Sequence, residues 1–89
     1  MKIKLELFGA SRDFSNKEFL EFNIKQKMEI KDFRKEVINY LDKNFKGNES
    51  FIKTVKNSVF CSEDNNIVSD DFKIIKDQKI GIIPPIGGG

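Results

Sequence analysis

Apolar residues take every second position in KIKLELF (residues 2–8). Ile3, Leu5 and Leu7 fall on one face, which predicts a strand. Gly9 and Ser11 break the alternation in FGASRDFS (residues 8–15) and predict a loop or one short helical turn. Alternation resumes in EFLEFNIK (residues 18–25), with Leu20, Phe22 and Ile24 facing one way, a second strand expected to pair antiparallel with the first. The period then lengthens. Ile30, Phe33, Val37, Leu41 and Phe45 form one apolar stripe, predicting a helix of about four turns. Gly47 suits a left-handed end to it, whereas Glu29 stands where Ser, Thr or Asp would cap better. NESFIKTVKNS (residues 48–58) does not decide between a further short helix and a loop. SVFCS and NIVS read as two short strands around the turn EDNN, and KIGIIP as a last strand ended by Pro84. The expected architecture is α+β: a mixed sheet of four to five strands with one main helix packed on one face.

Composition sets the bounds. Eighty-nine residues make one domain, and 38% hydrophobic content with nine Phe suffices for a single modest core. The domain is expected over residues 1–84, with a flexible tail over 85–89. Sixteen basic residues face fourteen acidic ones, interspersed along the chain, so the clustered basic face of a nucleic-acid binder is missing and no nucleic-acid partner is expected. A lone Cys61 excludes an internal disulfide and fits a reducing compartment. The alternating N-terminus is unlike a signal peptide, and no apolar run approaches the ~20 residues of a membrane span. A cytoplasmic protein without a membrane partner is the expectation.

The chemistry of a self-sufficient enzyme is missing. There is no His and only one Cys, so neither a His base nor a zinc cluster can be built, and no metal site is expected. No phosphate loop is present. Glu63-Asp64 and Asp70-Asp71 lie in turn-like segments, and Cys61 reads as a small packed strand residue.

The ending IIPPIGGG (residues 82–89) is different. Its reactive group is the α-carboxylate of Gly89, an electrophile only once another protein activates it. Without a Cβ, Gly87, Gly88 and Gly89 can enter a narrow channel. Ordering five such residues costs roughly 5–10 kcal/mol of backbone entropy. Pro84 and Pro85 reduce that cost because their φ is already fixed. Burial of Ile86 in a partner offsets about 2–3 kcal/mol more. The tail reads as a stiff arm with an apolar anchor and a slim reactive tip.

On these residues the sequence resembles the MoaD/ThiS family of ubiquitin-like sulfur carriers, in particular the small subunit of molybdopterin synthase. KIGIIPPIGGG matches that family's closing pattern, and LFGASRDF is similar to its strand-end Phe followed by a loop with Arg and an acidic residue, here Phe8, Arg12 and Asp13. The resemblance implies a β-grasp fold and a cycle of sulfur delivery. A separate E1-like activating enzyme (MoeB-type) would use ATP to adenylate Gly89, and a sulfur donor such as a cysteine desulfurase or rhodanese would convert the adenylate to a thiocarboxylate. The tail, Pro84 to Gly88, would then enter the large subunit (MoaE-type) of a heterotetramer and give sulfur to cyclic pyranopterin monophosphate. This chain would bind no cofactor and would not be catalytic alone.

By position in the family, Ile67 and Ile83 would contact the large subunit. Alternation places Ile80 and Ile82 on one face of the last strand and Gly81 and Ile83 on the other, leaving one face open to exposure. Phe8, out of phase with Ile3, Leu5 and Leu7, is a further candidate. Other readings stay open: a carrier for thiamine thiazole or tRNA thiolation, a ubiquitin-like modifier, or a binding module with an incidental tail.

Overall fold

The computed structural model describes residues 1–85. In chain order it contains β1 (Lys2–Leu7), a 3-10 turn (Gly9–Phe14), β2 (Phe19–Asn23), β3 (Met28–Glu29) and α1 (Ile30–Phe45). These are followed by α2 (Glu49–Asn57), β4 (Val59–Cys61), β5 (Ile67–Val68), β6 (Lys73–Ile74) and β7 (Gln78–Ile83). Five strands form a mixed sheet in the order β2-β1-β7-β4-β5, and β3 pairs with β6 in a separate two-stranded sheet. β1 is antiparallel to β2 and parallel to β7, so the first and last strands lie side by side at the centre.

The alternation read from the sequence decides what faces the helix. Ile3, Leu5 and Leu7 of β1, Ile80 and Ile82 of β7 and Phe60 of β4 are all buried. So are Ile30, Phe33, Val37 and Leu41 of the predicted helical stripe, while Phe45 is half-buried at its end. Each such side chain contributes about 1.5–3 kcal/mol through removal from water. Phe33 sits edge-on to Phe22 at 5.3 Å and to Phe60 at 6.0 Å between ring centroids, joining α1 to both halves of the sheet.

The undecided segment is helix α2. Asn48 caps it by accepting from the Phe51 N–H at 3.1 Å. Phe51 packs between Phe14 and Phe45, at 5.0 Å from each ring. The helix thus closes the open end of the core, and the fold carries a second helix beside the main one.

The beginning of α1 shows why a poor cap is tolerated. The N–H groups of Ile30 and Lys31 donate to the backbone carbonyls of Phe72 (2.9 Å) and Asp70 (3.0 Å). Asp32 accepts from the Glu29 N–H at 3.3 Å. Donors left over at a helix start are therefore satisfied from a distant loop. At the other end Lys46 and Gly47 both take positive φ, 32° and 75°, so the left-handed exit begins one residue before the glycine. Arg34 ties these parts together. Its guanidinium donates to the Val55 and Ser58 carbonyls, each at 2.7 Å, pairs with Asp70 at 3.1 Å, and lies over the Phe60 ring.

Candidate functional site

The tail leaves from the central strand. Parallel pairing sets Leu7 beside Ile82, so the chain leaving β1 at Phe8 and Gly9 runs alongside the chain leaving β7 at Ile83 and Pro84. Gly9, with φ of +56°, turns the backbone there and brings it close to Pro84, whose Cδ would lie 3.8 Å from a Cβ at Gly9. Pro84 is buried and Pro85 exposed. The first proline is therefore a packed part of the domain. The candidate residues Ile86, Gly87, Gly88 and Gly89 lie outside the described residues.

The sheet face away from α1 divides into two halves. One is polar: Lys79 pairs with Glu6 at 3.1 Å, and Lys4 lies 4.3 Å over the Phe19 ring. The other, next to the tail exit, is apolar. Register places Val59 opposite Ile83, and Cys61 opposite both Gly81 and Ile67. Directly opposed residues project to the same side of a sheet, so Ile67, Cys61, Val59 and Ile83 share this face. Phe8 joins them by lying across Gly81: a Cβ built there would be 3.0 Å from its ring and 2.5 Å from Cys61 Sγ. Glycine at position 81 is what lets a phenyl ring and a thiol sit flat on the central strand.

The three surface candidates named from the sequence, Phe8, Ile67 and Ile83, are thus brought together on one face. Ile67 is 69% exposed, and Phe8 and Ile83 are half-buried. Val59, 41% exposed, belongs to the same patch and was missed, because a lone strand valine reads as core until the Val59–Ile83 pairing is known. Cys61 is 6% exposed and forms the floor. Isolated exposed hydrophobics are ordinary, whereas these side chains form one contiguous group beside the end of β7.

The remaining candidates are spread elsewhere. Arg12 and Asp13 are exposed on the 3-10 turn. Glu63 accepts from the Lys79 N–H at 3.3 Å, Asp70 holds Arg34, and Asp71 accepts from Ser69, so each serves a turn or a crossing and no acid–base pair forms. Among the described residues no group of three or more His, Cys, Asp or Glu side chains could hold a metal ion. No helix among them is long and apolar enough to cross a membrane.

No protein-family model and no curated protein sequence matches this chain. Solved structures do. A Pyrococcus furiosus protein, assigned as subunit 1 of a molybdopterin converting factor, superposes with a TM-score of 0.69 at 17% identity, over 96% of this chain and 98% of its own. SAMP1 from Haloferax volcanii superposes with a TM-score of 0.68 at 10% identity, over the whole of both chains. The mixed five-stranded sheet, its central parallel pair and the helix across one face are those of the ubiquitin-like β-grasp fold, which this chain shares with them along essentially its full length.

Proposed function

We propose that this chain is a sulfur-carrier protein of the MoaD type, the small subunit of a molybdopterin synthase. The observation that carries the reading is the junction of two features: an apolar sheet face formed by Phe8, Val59, Ile67 and Ile83, and a central strand that runs directly from it into PPIGGG. Docking by that face would hold the start of the arm at a fixed place and leave its tip to reach into a partner. The likeness in fold to a protein assigned as a molybdopterin converting factor subunit, and equally to SAMP1, supports the coarser part of this reading, a small ubiquitin-like sulfur carrier or modifier.

In this reading the Gly89 carboxylate attacks the α-phosphate of ATP on an E1-like enzyme, forming an acyl-adenylate and releasing pyrophosphate. The outer sulfur of a donor persulfide attacks the acyl carbon and AMP leaves, giving an acyl disulfide. A second cysteine thiol then attacks the donor's inner sulfur, forming a disulfide with it and freeing the thiocarboxylate. That sulfur passes to cyclic pyranopterin monophosphate in a MoaE-type subunit, within a heterotetramer. This chain contributes delivery and docking, and it binds no cofactor of its own.

Intact mass spectrometry of the chain co-expressed with a MoeB-type enzyme and a cysteine desulfurase or rhodanese tests this. Exchange of one oxygen for sulfur, mapped to Gly89, is expected, and one residue added after Gly89 should abolish it without unfolding the domain. Persistence of the exchange in the extended variant would refute the mechanism. Transfer to the pterin precursor with the large subunit present separates this pathway from thiamine or tRNA thiolation. Isopeptide adducts on lysines in place of sulfur would make the chain a modifier.

A further inference from the structure

The last ladder pairs of β7 are Ile82 with Leu7 on one side and Ile83 with Val59 on the other. Pro84 lies one residue beyond both and has no N–H to extend either ladder. It is nevertheless buried, and the 3-10 turn that follows β1 packs beside it. The Pro84 ring carbons Cδ and Cγ would lie 3.8 and 3.9 Å from a Cβ at Gly9, an ordinary packing distance. That turn is itself fastened at two places. The Phe8 carbonyl accepts from the Ser11 N–H at 3.1 Å and from the Ser11 hydroxyl at 2.6 Å, and Ser11 is fully buried. Phe14, also buried, packs against Phe51 of α2 at 5.0 Å. Gly9 joins the extended Phe8 to the turn with φ of +56°, a conformation that Asn tolerates and β-branched residues avoid.

We propose that Gly9 is a positioning residue: its left-handed turn, locked by Ser11, seats the Pro84 ring and so fixes the direction in which the chain leaves the sheet. The purpose of that direction rests on the carrier reading above. Proline sets its own φ, and because Pro85 follows, the ψ of Pro84 is confined to the extended range. Once the first ring is seated, the orientation fixed at Gly9 is therefore carried outward to Pro85. Sulfur transfer depends on placing the acyl group of Gly89 accurately in a partner's active site, where an error of about 1 Å can cost as much as a hundredfold in rate. A fixed start to the tail narrows the volume its end must search and raises its effective concentration there. Gly9 itself is exposed at the edge of the apolar face and has no side chain to offer a partner, so its part is in transfer and not in binding.

Two measurements test this. In the isolated chain, with no sulfur chemistry involved, Cα–Hα residual dipolar couplings of Pro84 and Pro85 report how those residues are held relative to the sheet. The parent values should fit the alignment of β1 and β7. In Gly9→Ile they should fall to about half or less while the strand couplings stay unchanged, and Gly9→Asn should keep the parent values. Gly9→Ala should show the Gly9→Ile effect in smaller degree. In the assembled system, the Gly89 thiocarboxylate is mixed with saturating large subunit and pterin precursor, and its single-turnover consumption is followed by intact mass. Gly9→Ile should slow that step roughly tenfold or more, with the Kd for the large subunit changed by less than about threefold, and Gly9→Asn should transfer at close to the parent rate. Couplings unchanged in Gly9→Ile, an equal loss in Gly9→Asn, or slow transfer matched by an equal loss of docking would each overturn the assignment, the last by moving the effect to Phe8. A parent chain with the expected couplings that forms no thiocarboxylate would instead overturn the carrier reading and leave the seat of Pro84 on Gly9 standing.

Discussion

Replacing Gly81 with alanine measures how tightly the apolar face is built. The new methyl carbon would stand 2.5 Å from Cys61 Sγ and 3.0 Å from the Phe8 ring, closer than packed atoms approach. Both neighbours are on or beside paired strands, so relief requires the thiol to turn or β4 to shift. Forcing an extra carbon into a filled site costs about 1–3 kcal/mol. Alanine is favoured over glycine in a strand interior by about 0.5–1 kcal/mol, which offsets part of this. The net expectation for Gly81→Ala is a loss of about 0.5–2 kcal/mol. At this chain length each kcal/mol lowers Tm by about 4–8 °C. Cys61→Ala removes the closer obstacle, so the double variant should be more stable than additivity allows, with a coupling of about 1 kcal/mol. Urea unfolding of the four proteins gives the cycle, provided that the m-values agree. A Gly81→Ala protein as stable as the parent, or strict additivity with Cys61→Ala, would refute the packing argument.

Other substitutions probe separate parts. Arg34→Met keeps much of the side-chain bulk but withdraws charged donors from the Val55 and Ser58 carbonyls, and urea unfolding should show a loss of about 1.5–3 kcal/mol. Asn48→Ala removes the α2 cap and should cost about 1 kcal/mol by the same measurement. Ile67→Asp, on a highly exposed side chain, should change stability by no more than about 0.5 kcal/mol. It should nevertheless weaken binding to a MoaE-type subunit in calorimetric titration, and undiminished binding would exclude Ile67 from the interface. Ile83→Asp should weaken the same binding at a greater cost in stability, read from the thermal melt, because Ile83 is half-buried.

Much of this architecture is legible in the chain because periodicity is local. Ile3-Leu5-Leu7 and the stripe from Ile30 to Leu41 declare both the element and its buried face. What escaped is set by distant partners. β3 and β6 have two residues each, too few to show a period, and exist because they pair with one another. Glu29 looks wrong as a cap until the carbonyls of Asp70 and Phe72 are seen to supply the acceptors. Asn48 followed by Glu49 did carry a helix-start signal, and weighing it would have decided α2. At the candidate site, alternation separated Ile83 from Ile80 and Ile82, but only the β4–β7 register brings Val59 and Cys61 to the same surface.

The parallel pairing of β1 with β7 also has a mechanical meaning. Tension applied between the start of β1 and the end of β7 pulls the two central strands along their length in opposite directions. Their bridging hydrogen bonds are then loaded together in shear, where an antiparallel pair pulled from its open end would peel apart one bond at a time. β7 is held by β4 on its other edge as well, so it cannot slide without breaking a second ladder. A force drawn between the start of β1 and the end of β7 thereby meets the strongest direction of the sheet.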